Sequence, residues 1–123
     1  MPKTILVVED FDDIRDAMRL LIEEIHGCVV IEATDGLEAI NMAREHRPDL
    51  ILMDIAMPVF NGIQAASEIR SNPNLRHVRI IAVTSYPEQF GKDAIDSGLS
   101  KVFDKPTLLT ELDKLLDEIV NER

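Results

Sequence analysis

A short apolar run that stops at a carboxylate constrains the fold more than any other feature of this sequence. Residues 50–53 read Leu-Ile-Leu-Met, and Asp54 follows them directly. The run is too short for an ordinary helix, and an unbroken apolar run is typical of a strand covered on both faces, as in a parallel sheet. We therefore expect Asp54 at the carboxyl end of a buried strand, where open α/β sheets bind ligands. An acid at such a place can also simply cap a loop.

The same strand pattern recurs along the chain and alternates with helical patterns. Strands are predicted at residues 4–8, 28–33, 50–54, 78–83 and 99–103. Apolar residues spaced by three and four predict helices that begin near residues 12, 35, 62, 87 and 107. The alternation predicts a doubly wound α/β fold, with a five-stranded parallel sheet and five helices. The length of 123 residues favours one domain spanning residues 1–123.

Some side chains are assigned to the core or to the surface by this pattern. The first helix is expected to bury Ile25, the second Leu37 and the last Leu109. Cys28 is alone, so no internal disulfide is possible, and its apolar surroundings predict a buried thiol. The three histidines, His26 among them, show no metal-ligand spacing and are expected on the surface.

Composition excludes several classes of function. The chain has 13 basic and 23 acidic residues, a net charge of −10. Because a surface this acidic repels nucleic acid and anionic lipid, we expect no direct contact with nucleic acid or membrane. There is no apolar run of membrane-spanning length and no segment of signal-peptide type, so we expect a cytoplasmic protein.

Polar residues follow the predicted strands and indicate a chemistry. If the strand order is 2-1-3-4-5, Glu9, Asp10 and Asp54 converge at one edge of the sheet. Three neighbouring carboxylates either hold protons or surround a cation, and an all-oxygen set favours Mg²⁺. Thr84 and Lys105 follow the last two strands and can hold phosphoryl oxygens. Together these groups predict a phosphoryl-transfer site.

Over residues 3–121 the chain resembles the receiver domain of two-component response regulators, in the stand-alone form. The matching motifs are Leu6-Val7-Val8-Glu9-Asp10, Leu52-Met53-Asp54-Ile55-Ala56-Met57-Pro58 with Asn61-Gly62, Val83-Thr84-Ser85 and Asp104-Lys105-Pro106. The resemblance implies that Asp54 accepts a phosphoryl group from a phosphohistidine on a histidine kinase or a histidine phosphotransfer protein. It also implies that Glu9, Asp10, Asp54 and the Ala56 carbonyl hold Mg²⁺, while Thr84 and Lys105 bind the phosphoryl group. The phosphorylated protein would relay the group or switch a face that binds a downstream protein.

One departure from the family pattern concerns the switch. The family usually has an aromatic residue three places before the lysine, where this chain has Val102, and Phe103 stands one place later. A shift of one residue in a strand sends a side chain to the other face, so we expect Phe103 in the core.

Two other functions remain open on the residues alone. One is a Mg²⁺-dependent phosphatase with an aspartyl-phosphate intermediate, for which Ala56 supplies no acid or base. The other is a receiver-like adaptor that is never phosphorylated, against which the full set of site residues argues. The expected protein is a monomeric signalling domain without separate substrate turnover.

Overall fold

Over the part of the chain that the structure describes, strands and helices follow one another in the predicted order. The structure is a computed structural model that describes residues 2–55, 62–84, 101–104 and 107–121. The strands are β1 (Thr4–Val8), β2 (Val29–Ala33), β3 (Leu50–Asp54), β4 (Arg79–Thr84) and β5 (Lys101–Asp104). The α-helices within the described residues are α1 (Asp12–Leu20), α2 (Gly36–His46), α3 (Gly62–Ser71) and α4 (Leu108–Val120). The predicted helix of residues 87–97 lies outside them.

All five strands join one parallel sheet in the order β2-β1-β3-β4-β5, which confirms the predicted fold. The register pairs Val8 of β1 with Met53 of β3, and Asp54 of β3 with Val83 of β4. Because parallel strands point the same way, their carboxyl ends meet at one edge. Of the polar residues singled out in the sequence, that edge carries Glu9, Asp10, Asp54 and Thr84.

The sheet is covered on both faces, which explains the unbroken apolar run in β3. Leu50 and Leu52 belong to a core layer shared with α1 and α4, and Ile51 and Met53 belong to a layer shared with α2 and α3. All four side chains are fully buried. Phe103 is buried in the first of these layers, as predicted. None of the described helices has the length and apolar character needed to cross a membrane.

Three residues assigned to the core by helical spacing are instead exposed. Ile25 is 66% exposed because a π-helical segment, Leu21–Ile25, continues α1 and adds residues to its last turn, which rotates the apolar stripe. Leu37 and Leu109 are also exposed, since each lies at the edge of its helix's apolar arc rather than at the centre. The assignments of these three side chains to the core were wrong.

The end of the first helix contradicts one prediction and confirms another. The side chain of His26 is only 6% exposed and lies between two acids of α4, with Nε2 2.7 Å from Asp113 Oδ1 and Nδ1 3.6 Å from Asp117 Oδ1. The prediction of a surface histidine was therefore wrong. Cys28 is free and buried, as predicted. Burial raises the pKa of its thiol, and the nearby charge of Asp49 adds to the effect.

Candidate functional site

Three carboxylates meet at the carboxyl edge of the sheet, as the sequence predicts. Glu9 and Asp10 follow β1, Asp54 ends β3, and one carboxylate oxygen from each lies within 4.8 Å of the others. Glu9 and Asp54 are almost completely buried, whereas Asp10 is half-buried at the rim. So compact a group of acids can hold a metal ion.

The main chain just beyond the strands fixes two of these carboxylates. The N–H of Glu9 donates to the carbonyl oxygen of Ala33 (3.1 Å), which extends the pairing of β1 with β2 by one residue. The N–H of Ile55 donates to the carbonyl oxygen of Val83 (3.3 Å) and extends the pairing of β3 with β4. Glu9 and Asp54 thus belong to the rigid sheet rather than to free loops.

A glycine allows α3 to begin directly against the end of β3. A Cβ built on Gly62 would lie 2.5 Å from the carbonyl oxygen of Asp54, 2.7 Å from the Cα of Ile55 and 2.7 Å from the Cγ of Met53. All of these are closer than any real Cβ contact. The close approach therefore requires a residue without a side chain at position 62.

The neighbouring strands place further polar groups at the same edge. Thr84 ends β4, is fully buried and pairs in register with Asp104, the last residue of β5. Two other candidates, Ala56 and Lys105, lie outside the described residues. The structure thus brings Glu9, Asp10 and Asp54 together, with Thr84 one strand further along.

Two buried carboxylate oxygens without a hydrogen-bond partner among the described residues bear on whether the cluster suits a cation. Within the described part of the chain, Asp10 Oδ1 and Asp104 Oδ1 are buried and accept no hydrogen bond. A buried carboxylate oxygen without a donor is costly unless a cation or a further donor completes it. The acids, with oxygen ligands alone, fit a hard divalent cation. Sequence reasoning named Asp104 only as part of a motif, and only its place before Lys105 could have drawn attention to it.

Sequence reasoning missed an arginine that touches the turn between β1 and α1. Arg15 Nη1 donates to the carbonyl oxygen of Glu9 (2.9 Å), and its Nε donates to Glu32 of β2 (2.6 Å). Its Nη2 pairs with Asp12, and this hydrogen bond raises the pKa of the guanidinium above its usual value. The only signal in the sequence was a basic residue within a strongly acidic segment.

Comparison with known proteins places this geometry in a family. The family model for the response regulator receiver domain matches residues 5–117. The polar-differentiation response regulator DivK of Brucella anthropi is 41% identical over 98 residues, which are 80% of this chain and 79% of that protein. DivK of Brucella ovis is 39% identical over the same shares.

Solved structures of receiver domains are also similar. One is the receiver domain of a sensor histidine kinase from Pseudomonas aeruginosa, which has a magnesium ion coordinated in its active site cleft. It is 31% identical with a TM-score of 0.88, and the alignment covers 99% of this chain and 100% of that one. Another is the response regulator domain of Thermotoga maritima CheB, 29% identical with a TM-score of 0.85, where the alignment covers 100% and 99%.

Proposed function

The chain belongs to the response regulator receiver domain family, and on that premise we propose that a phosphoryl group on Asp54 controls it. The observation that carries the proposal is the convergence of Glu9, Asp10 and Asp54 at the carboxyl edge of the sheet. In this arrangement the buried Asp54 is the nucleophile, and the other two acids are metal ligands. The proposed receiver domain spans residues 1–123.

The proposed cofactor is Mg²⁺, held by Glu9, Asp10, Asp54 and the main-chain carbonyl of Ala56. Oxygen ligands suit this ion, and Asp10 Oδ1, which has no hydrogen-bond partner among the described residues, supports a cation at the rim of the cluster. When bound, Mg²⁺ neutralises charge on the phosphoryl oxygens and on the carboxylates around them. The relative from Pseudomonas aeruginosa with magnesium in its cleft supports the same choice.

The chain's own groups then accept and hold the phosphoryl group. A carboxylate oxygen of Asp54 attacks phosphorus in line, the bond from phosphorus to the partner's imidazole nitrogen breaks, and the imidazole leaves with the bonding electron pair. The hydroxyl of Thr84 and the ammonium of Lys105 bind the transferred oxygens. The order of β4 and β5 in the sheet and the full burial of Thr84 at its edge support these roles.

Of the alternative functions, neither is favoured by the site. A phosphatase with an aspartyl-phosphate intermediate needs an acid or base beside its nucleophile, and Ala56 supplies none. An adaptor that is never phosphorylated has no use for three converging carboxylates, whose mutual repulsion destabilises the metal-free fold. We propose a signalling domain without separate substrate turnover.

The proposed partners follow from the site and from the charge. The donor is a histidine kinase or a histidine phosphotransfer protein, and the phosphorylated form either relays its group or binds a downstream protein. The net charge of −10 supports a monomer that contacts neither nucleic acid nor membrane. We propose that it works in the cytoplasm, where the donor can reach it.

The experiment is phosphorylation by a small phosphodonor such as acetyl phosphate, with and without Mg²⁺, followed by intact-mass analysis. We expect one phosphate per chain, stable in acid and labile in base, only when Mg²⁺ is present. The matched control is Asp54→Asn, which keeps the shape of the side chain and removes the nucleophile. Full labelling of that variant, or steady release of phosphate at an enzymatic rate, would contradict the proposal.

A further inference from the structure

We propose that Arg15 is a positioning residue that holds the turn between β1 and α1 so that Glu9 and Asp10 face the cation. The inference rests on the proposed function, because it concerns affinity for Mg²⁺ at that site. Arg15 would act through the main chain and would touch neither the ion nor the phosphoryl group.

Both polar groups of the Glu9 main chain are held by elements outside the turn. Its N–H donates to the carbonyl oxygen of Ala33 in β2 (3.1 Å), and its carbonyl oxygen accepts from Arg15 Nη1 (2.9 Å). Because the N–H and the carbonyl oxygen of Glu9 are both hydrogen-bonded, the peptide between Glu9 and Asp10 has one orientation. That peptide sets the direction in which the Asp10 carboxylate leaves the main chain.

Arg15 can fix this peptide because its guanidinium is itself fixed. The side chain is 13% exposed, its Nε donates to Glu32 Oε2 (2.6 Å), and its Nη2 pairs with Asp12 in the first turn of α1. A planar guanidinium held at two corners presents its third nitrogen in a defined direction. The contact with Glu32 also anchors this arrangement to β2, which belongs to the rigid sheet.

The same helix offers a matched control. Arg19 lies one turn further along α1 and pairs with the other oxygen of Glu32 and with Glu23 (2.6 Å). Within the described residues, the ion pairs and hydrogen bonds of Arg19 do not reach Glu9. Arg15 and Arg19 thus share a charge, a helix and an acidic partner, and they differ in contact with the turn.

The loss of Arg15 has two opposing effects on the affinity for Mg²⁺, one from its charge and one from its contact with the turn. Removing a positive charge near a cation site strengthens cation binding if charge alone matters. Loss of the hydrogen bond to Glu9 frees the turn, so the ligands must be ordered when the ion binds, and binding weakens. We expect the net result to be weaker Mg²⁺ binding, since the loss of a group that orients metal ligands costs about 10-fold or more in affinity.

The test is titration of the protein with Mg²⁺ by calorimetry, without partner or phosphodonor; the chain has no tryptophan to report binding optically. We expect Arg15→Ala to raise the Kd about 10-fold. Arg19→Ala should leave it within about 2-fold of the wild type, because its ion pairs are half-exposed, contribute little and do not contact the turn. Arg15→Lys keeps the positive charge and a hydrogen-bond donor, so its Kd for Mg²⁺ should lie between the values of the wild type and Arg15→Ala.

The outcomes separate this inference from the proposed function. Asp10→Ala is the reference for the loss of a direct metal ligand. If Asp10→Ala binds Mg²⁺ as tightly as the wild type, both the proposed function and this inference are refuted. If wild-type binding depends on Asp10 but Arg15→Ala binds Mg²⁺ as tightly or more tightly, the inference alone is wrong. Equal weakening by Arg15→Ala and Arg19→Ala would also refute it. Should Arg15→Ala fail to fold, Arg15→Lys decides, and an unchanged Kd in that variant would overturn the inference.

Discussion

Replacement of Gly62 by alanine should destabilise the protein although alanine is the better helix former. The new methyl group would lie 2.5 Å from the carbonyl oxygen of Asp54, roughly 0.9 Å short of the 3.4 Å at which ordinary contact begins. That oxygen and the Cα of Ile55 are main-chain atoms of a buried strand end, so neither can turn away. The start of α3 must retreat from β3 instead.

The cost can be bounded from known effects of overpacking. Extra atoms forced into a well-packed region cost about 1–3 kcal/mol, and contact with main-chain atoms places Gly62→Ala near the upper end, at about 2–3 kcal/mol. Helix propensity alone predicts the reverse, a gain of up to about 1 kcal/mol. With a urea m-value of about 1–3 kcal/mol/M, the midpoint of unfolding should fall by about 0.7–3 M.

Urea unfolding without Mg²⁺ provides the measurement, and Gly27→Ala provides the control. Gly27 has a φ of 68°, and no atom of the described residues lies within 4 Å of a Cβ built on it. The cost of alanine there therefore comes from the left-handed backbone and is about 1–2 kcal/mol. Gly62→Ala should also weaken Mg²⁺ binding because it displaces Asp54, whereas Gly27→Ala should not. A Gly62→Ala protein as stable as the wild type would refute the steric argument.

Three further predictions concern the acids, the thiol and the core. Asp10→Asn should stabilise the Mg²⁺-free protein by about 1–3 kcal/mol through relief of repulsion between carboxylates; lower stability in urea unfolding would contradict this. Burial raises the pKa of the Cys28 thiol in the folded state, so the stability it contributes should be lost as pH rises above about 9, where the unfolded thiol ionises first. The free energy of unfolding should therefore fall more steeply with pH in the wild type than in Cys28→Ala, by at most about 1.4 kcal/mol per pH unit, and equal slopes would be the contrary result. Leu112→Ala should cost about 2–5 kcal/mol because Leu112 is fully buried, whereas Leu109→Ala, at a half-exposed position, should cost much less; equal losses would contradict the assigned burial.

The sheet and the carboxylate cluster could be predicted because their signals are local. The apolar run before Asp54 indicates a strand covered on both faces. Polar residues that directly follow a predicted strand are thereby assigned to the carboxyl edge of the sheet. Parallel strands must bring those ends together, so the convergence of Glu9, Asp10 and Asp54 follows from strand order alone. The order itself was an assumption, which the structure confirms.

The remaining features depend on contacts between distant parts of the chain. Arg15 meets Glu32 only because β2 lies beside β1, and His26 is buried by α4, whose acid Asp113 is 87 residues away. The π-helical segment at Ile25 was not predictable either, since periodicity predicts a regular helix there. Such contacts leave no trace in helical or strand periodicity.

The most direct test of the whole account is to locate the phosphate on the chain. The protein is phosphorylated with acetyl phosphate and Mg²⁺, treated with borohydride, which reduces an aspartyl phosphate to homoserine, and then analysed by peptide mass spectrometry. We expect homoserine at position 54 alone, and no homoserine when Mg²⁺ is omitted. Phosphate on a histidine or a hydroxyl, or homoserine at Asp10 with Asp54 unmodified, would show that Asp54 is not the phosphoryl acceptor.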